Sequence, residues 1–366
     1  MAENIVSPGV FTRENDLSFI PQGVAEIGAA IVGPTVKGPV NVPIKVNSFS
    51  DYAATFGTTF KSGSSYYEFF TSIAAEYYLR NSGALTVVRV VSGSTFGPAS
   101  ASATCSLDPA NAFDIFTLGD GVIMNSVGTL GTNDALTEGT TDNLRYEISN
   151  VNNETGTFTF SIRRGDDTEN RKIYLEQYNN VNLDPNTTNY IGRAVGTQRL
   201  TINVSDAADP FLQLTGDYPN ISKYVRVANI RDTVDYLDTN GDVRVGSASG
   251  SLPAAGSGSA GGAFGGGLGG DVSATEFKMF DQITETNVQG LDPDTDYTTA
   301  FRLLKNQDEY DINLLIAPGM TLTNHGTAVA EAKTTVEDRG DVFLVLDPVL
   351  HGTTGLGSVT SAANNL

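Results

Sequence analysis

The stretch INLLIAPGMTLTNHGTAVAEAKTTVEDRGDVFLVL, residues 312–346, decides the fold class. Residues 312–317 form a short apolar run and read as a strand. Residues 342–346 read as a second strand, and between them the pattern gives a helix from about residue 324 to 339. Strand, helix, strand in this length is a parallel βαβ unit. Just upstream, Asp292-Pro293 supplies an N-cap and a first-turn proline ahead of Tyr297, Ala300, Phe301 and Leu304 at helical spacing.

The same texture stands at the other end of the chain. Ala29-Ala30-Ile31-Val32 reads as a short buried strand ended by Gly33-Pro34. Ser65 and Glu68 fit a capping box, with Phe69, Phe70, Ile73, Tyr77 and Tyr78 at helical spacing behind it and Gly83 in the place of a C-terminal cap. Residues 85–91, LTVVRVV, read as a buried strand.

Between these ends, from about 98 to 245, short alternating runs are punctuated by Asn, Asp and Gly. Residues 144–148 and 157–162 flank NNETG, a hairpin signal, and residues 236–245 predict a second hairpin about Asn240-Gly241. Residues 246–270 hold no charge and are largely Gly, Ser and Ala, which predicts a flexible loop. Residues 1–22, with Pro8 and Pro21, read as an extended arm. The expected fold class is therefore α+β and multidomain. A split α/β domain (23–97 and 271–366) is interrupted by a β-rich, barrel or sandwich-like insertion (98–245), with the loop 246–270 and the arm 1–22 outside both cores.

The 366 residues carry 42 acidic and 22 basic side chains, a net charge of −20. Phosphate binding needs clustered Lys and Arg, and the densest basic spots, Arg163-Arg164 and Arg171-Lys172, flank Asp166-Asp167. Nucleic acid is thus not an expected partner; such acidity favours solubility. Cys105 is the single cysteine, so no intrachain disulfide forms and a reducing compartment suits the chain. The N-terminus lacks the regions of a signal peptide and no apolar run reaches about 18 residues, so synthesis in a cytoplasm without membrane insertion is expected.

Chemistry-bearing constellations are few. His325 and His351 lie in different segments without companion ligands at metal spacing, which predicts a surface or capping role. Cys105 has no nearby His, and no serine sits in a nucleophile elbow. Gly28, Gly33 and Gly38 have phosphate-loop spacing, but Pro follows Gly33 and Gly38 where Lys-Ser/Thr belongs. Asp238-Thr239-Asn240-Gly241-Asp242 and Asp292-Pro293-Asp294-Thr295-Asp296 imitate calcium loops but fail at Val243, Ser249, Tyr297 and Leu303. A turn and a helix cap explain them. No catalytic residue, cofactor or metal is expected, and no enzyme.

Several segments together carry a resemblance: Ser7-Pro8-Gly9-Val10, Ile31-Val32-Gly33 followed by Lys37-Gly38-Pro39, and Tyr52 through Phe56-Gly57. Further pieces follow in order: YLRNSGALTVVRV at 78–90, YLEQYNNVNLDP at 174–185 with Asn189-Tyr190-Ile191, DINLLIAPG at 311–319 and EDRGDVF at 337–343. In this order they resemble the tail sheath proteins of contractile-tailed bacteriophages, the long-sheath group with inserted domains. The resemblance implies a subunit of stacked six-fold rings around a tail tube, whose contraction drives the tube through a host envelope. It implies as partners further copies of the chain, the tube protein, the baseplate and the tail terminator. The place implied is the virion tail, assembled in the host bacterial cytoplasm. Terminal arms in this family add strands to neighbouring subunits. Residues 3–20 fit that donor role, with Ser7, Pro8, Gly9, Val10 and Phe11 as the interface.

One departure stands beside the match. Family members continue into a C-terminal α/β region, whereas this sequence stops at Leu366, after a tail without helix or strand periodicity. A fragment, which should stay a monomer, is the favoured expectation; a full-length product would build tubes alone. Two other readings are weighed: the sheath of a phage-derived injection machine, and a β-rich adhesin or receptor-binding virion protein.

Overall fold

The computed structural model describes residues 28–62, 64–126, 129–244, 246–258, 261–271 and 282–364. The arm at 1–22, and with it Ser7 to Phe11, lies outside the described residues. The first segment runs β1 (Ala29–Gly33), β2 (Ile44–Val46), α1 (Phe49–Phe56), β3 (Thr59–Ser62), β4 (Ser65–Glu68), α2 (Phe70–Leu79) and β5 (Leu85–Arg89). Next come β6 (Pro98–Thr104), β7 (Asn111–Asp120), β8 (Leu144–Asn152), β9 (Thr157–Arg164), β10 (Tyr174–Val181), α3 (Ile191–Val195), β11 (Arg199–Asn203), β12 (Phe211–Thr215) and β13 (Val225–Ala228). The last part holds α4 (Gly246–Gly250), α5 (Pro293–Asp296), α6 (Thr298–Leu303), β14 (Leu314–Thr321), α7 (Gly326–Arg339), β15 (Phe343–Asp347) and α8 (Leu356–Asn364).

One five-stranded sheet takes strands from both ends of the chain, in the order β15-β14-β1-β5-β2. β1 lies between β14 and β5, parallel to both, with Ala29 opposite Leu314 on one side and Leu85 on the other. Period-2 alternation then sorts the side chains onto two faces. Ala30, Val32, Val88, Leu315 and Ala317 pack under Tyr297, Phe301, Ala328 and Ala332 of the α5–α7 layer. Ala29, Ile31, Leu85 and Val87 pack against Tyr52, Phe56 and Ala75 of α1 and α2. Small residues let the helices come close: a Cβ at Gly33 would meet Thr71 Oγ1 at 2.4 Å. A parallel sheet covered on both faces is the expected way to bury such strands.

The middle of the chain builds two three-stranded sheets, β10-β9-β8 and β13-β7-β6, which share one core. Phe113 on β7 stacks on Phe158 at 6.0 Å and meets Phe160 edge-on at 5.7 Å, both from β9. The hairpin expected about residues 152–156 is present, joining β8 to β9. β11 and β12 form a separate two-stranded ribbon.

Three local expectations are corrected. The flexible loop at 246–270 is instead a strap laid between two sheet edges in its described residues. Ser100 and Gly265 exchange backbone hydrogen bonds of 2.8 and 2.9 Å on the β6 side. Ile148 and Gly256 exchange bonds of 2.9 and 2.8 Å on the β8 side. Its glycines serve close approach rather than mobility, since Gly262 has φ 77° and a Cβ there would lie 2.1 Å from the Tyr146 carbonyl oxygen. Phe264 of the strap is fully buried.

The capping box at Ser65–Glu68 is a strand, β4, hydrogen-bonded to β3. Phe69 stands at the N-cap position of α2 because its ring packs on Phe60 at 4.9 Å, and burial outweighs the local cap. The Phe70 amide is satisfied from afar, by Gln289 Oε1 at 2.8 Å. The hairpin expected at 236–245 is present in short form: Leu237 bridges Val243, the Asp238 amide donates to the Asp242 carbonyl at 2.8 Å and the Arg244 amide to the Tyr236 carbonyl at 3.0 Å. The tail after β15, expected to be aperiodic, contains α8, which buries Ala362 and is otherwise largely exposed.

Candidate functional site

The sheet and the sandwich meet at Arg89, the last residue of β5. Its side chain is fully buried, and Nη1 donates to the Gly38 carbonyl at 2.6 Å and the Asp120 carbonyl at 2.7 Å. The Asp120 carboxylate accepts from the Val40 amide at 3.0 Å and lies 3.7 Å from Arg199. Burial pulls the Arg89 guanidinium down to about 10. Burial also pushes the Asp120 carboxyl up, against the Val40 hydrogen bond and the nearby arginines. Nε and Nη2 of Arg89 find no partner among the described residues. This side chain ties the end of β5 to the end of β7, alongside the Asp120 amide, which donates to the Gly38 carbonyl at 3.0 Å.

A second charged knot lies on the face of the β10-β9-β8 sheet opposite that core, since Arg145, Glu147 and Arg163 alternate with the core-facing Leu144, Tyr146, Ile148 and Ile162. Asp167, fully buried, receives Arg163 Nε at 2.6 Å, Arg163 Nη2 at 3.0 Å and Arg145 Nη1 at 2.9 Å. Glu147 accepts from Arg163 at 3.1 Å and from Lys172 at 2.7 Å. Of the basic spots noted in the sequence, Arg163, Arg164 and Lys172 are thus engaged in ion pairs, while Arg171 is exposed.

The outer strand β15 exposes an apolar edge. Leu344 and Leu346 pack toward α7, but Phe343 is 70% and Val345 is 42% exposed on the opposite face, beyond the reach of α2. They stand next to Leu314 and Ile316 of β14 in register. An open strand edge beside apolar side chains is a surface suited to another chain.

The acidic loops act as turn and cap. Asp238 Oδ1 accepts from the Asn240 and Asp242 amides at 2.8 and 3.0 Å, and Asp292 Oδ1 accepts from the Asp294 amide at 3.1 Å. Among the described residues no cluster of His, Cys, Asp and Glu has the arrangement of a metal site. Nor is any described helix long and apolar enough to cross a membrane. The Cys105 thiol lies in the turn at 105–109, 3.9 Å from the Leu107 carbonyl.

His325, expected in a surface or capping role, stands at a helix N-terminus but not at the surface. It is fully buried at the N-cap position of α7. Nδ1 accepts from the Thr321 amide at 2.9 Å, which leaves the proton on Nε2 to donate to the Thr284 carbonyl at 2.9 Å. Burial lowers its pKa, against the Thr284 contact and the Asp294 charge. A folded-state pKa below the unfolded value near 6.5 means that the folded chain binds fewer protons. His325 therefore contributes its full stability above about pH 6.5 and loses it as pH falls below that value. Melting temperatures between pH 7.5 and 5 should fall more steeply for the wild type than for His325→Gln; equal slopes would contradict this role.

Against known proteins, no protein-family model and no curated protein matches the chain. Two solved structures are similar to it. A sheath tail protein of Listeria innocua shares 11% identity over 86% of this chain and 44% of its own, with a TM-score of 0.38. A sheath tail protein of Desulfitobacterium hafniense shares 11% identity over 97% and 60%, with a TM-score of 0.40. The chain spans about half the length of these two proteins.

Sequence reasoning missed the buried arginines 89, 145 and 163. The available signal was an arginine inside an apolar strand pattern, as in LTVVRVV, where only a buried partner makes the charge tolerable. The segment YLEQYNNVNLDP becomes β10 and a tight loop in which Asp184 accepts from the Asn186 and Asp235 amides at 2.9 and 3.0 Å.

Proposed function

We propose that the chain is a structural subunit of a contractile tail sheath. It would form stacked six-fold rings around a tail tube and contract to drive the tube through a host envelope. One observation carries this reading. Four of the separated segments that resemble sheath proteins, at 31–33, 78–90, 311–319 and 337–343, contribute to strands β1, β5, β14 and β15 of the single sheet β15-β14-β1-β5-β2. The segment at 174–185 lies in β10 of another sheet. Residues 23–97 and 271–366 would then be one split domain and residues 98–245 its insertion. The partners are further copies of the chain, the tube protein, the baseplate and the tail terminator, in a virion tail assembled in a bacterial cytoplasm. The work of contraction comes from rearranging subunit contacts, so the role is structural and not enzymatic.

Among the described residues the outer edge of β15, beside the exposed Phe343 and Val345, pairs with no further strand. Self-association is the outcome expected of a sheath subunit, and a monomer the outcome expected of a fragment. Negative-stain microscopy and light scattering at rising concentration test the reading. Six-fold rings or tubes are expected; a monomer at every concentration, or closed trimers as in an adhesin, would overturn it.

A further inference from the structure

The β11–β12 ribbon carries an apolar face that the fold leaves half uncovered. In register, Leu200 stands opposite Leu214 and Ile202 opposite Leu212, so the four share one face. Leu200 and Leu214 remain 45% and 52% exposed. The ribbon is nevertheless held at both ends. At its tip the Ala207 carbonyl accepts from Arg302 Nη1 at 2.8 Å, and at its base the Gln198 amide donates to the Tyr218 carbonyl at 3.1 Å. A cavity of about 300 Å³ is lined by Leu200 and Leu214 from the ribbon and by Pro39, Val42 and Ile44 from the segment that leads into β2.

Two arginines line the same cavity, Arg199 and Arg226, against one carboxylate, Asp120. Arg199 lies 3.7 Å from that carboxylate, and the Arg226 guanidinium lies 4.4 Å from the centroid of the Phe116 ring. Among the described residues neither guanidinium has a hydrogen-bond acceptor. The buried Arg89 faces Asp120 as well, so three guanidinium groups share this one carboxylate. Burial, and after it the neighbouring Arg199 charge, holds the Arg226 guanidinium below its usual value. The cavity thus presents uncompensated positive charge and free donors beside an uncovered apolar wall. A carboxylate offers two acceptor oxygens in the geometry that guanidinium groups match. A hydrocarbon chain covers apolar surface that is now in water.

We propose that this cavity binds a small amphipathic monocarboxylate, with its carboxylate on Arg199 and Arg226 and its hydrocarbon chain between the ribbon and the segment leading into β2. The volume stands at the lower end of the range for ligand sites, about 300–1,000 Å³, which suits a chain of medium length such as octanoate. Charge selects the head and the leucines select the tail, so neither an inorganic anion nor a neutral alcohol satisfies both. The inference goes beyond the assembly reading above and does not depend on it.

Isothermal titration calorimetry of the full chain with octanoate tests the site. Saturable binding of one molecule per chain is expected, tightening about fourfold per added methylene from butanoate to octanoate. Octanol and inorganic phosphate should each bind at least about tenfold more weakly than octanoate. Arg226→Gln and Leu214→Asp should each weaken octanoate binding at least about tenfold. Leu214 is half exposed, so its variant keeps the wild-type melting and serves if Arg226→Gln folds poorly. No saturable binding at millimolar octanoate overturns the site. Octanol binding as tightly as octanoate overturns the role of the arginines, and phosphate binding as tightly overturns the apolar wall. Octanoate affinity unchanged in both variants places the binding elsewhere and overturns this cavity.

Discussion

Replacing Arg163 by alanine is expected to lower the unfolding free energy by about 3–5 kcal/mol, among the largest single-residue effects in the molecule. The Asp167 carboxylate is fully buried and receives two of its hydrogen bonds from Arg163, at 2.6 and 3.0 Å. Truncation leaves that charge with Arg145 as its remaining ionic partner, and strips Glu147 of its 3.1 Å contact. Losing one partner of a buried pair costs far more than the pair contributes in net, because the surviving charge cannot return to water. Urea or guanidinium unfolding at pH 7 measures the effect. A loss under about 1 kcal/mol would mean that water reaches the site and screens the pair.

Removing residues 1–20 should have the largest effect on assembly and almost none on folding. Among the described residues, the sheet and its two flanking cores are built from residue 29 onward. β1 is already paired on both sides, with β14 and β5, so an arm that donates a strand must find its sheet edge elsewhere. An exchanged strand worth only ~3 kcal/mol changes an association constant by more than a hundredfold. The truncated chain should melt within a few degrees of the wild type and no longer sediment as rings or tubes. Loss of cooperative melting would place the arm in the core; unchanged assembly would remove its role at the interface.

What the sequence determined by itself was the identity of elements with a strong local pattern. The run at 312–346 declared strand, helix and strand because two short apolar runs flank a stretch of helical spacing. The turn at 152–156 declared a hairpin because Asn, Glu, Thr and Gly separate two alternating runs. Asp292 acts as the cap its position before Pro293 announces, with Oδ1 on the Asp294 amide.

Tertiary structure alone decided how these pieces meet. Ala29 pairs with Leu314, 285 residues away, and periodicity carries no information about partners at that distance. The Gly-rich strap has the composition of a mobile linker, yet it is held by backbone bonds to β6 and β8 because those two edges lie where Gly256, Ala263 and Gly265 can bridge them. Phe69 displaced a well-formed local cap because Phe60 and Val36 offered burial, and Gln289 supplied the missing acceptor from the far side of the fold. Arg89 sits in a run read as a buried strand, and only the fold shows that the Gly38 and Asp120 carbonyls receive its side chain. In each case the local pattern fixed which groups need burial or a hydrogen bond. Which distant group satisfies them depends on the packed arrangement, because burial and backbone pairing are made between segments that the chain order does not bring together.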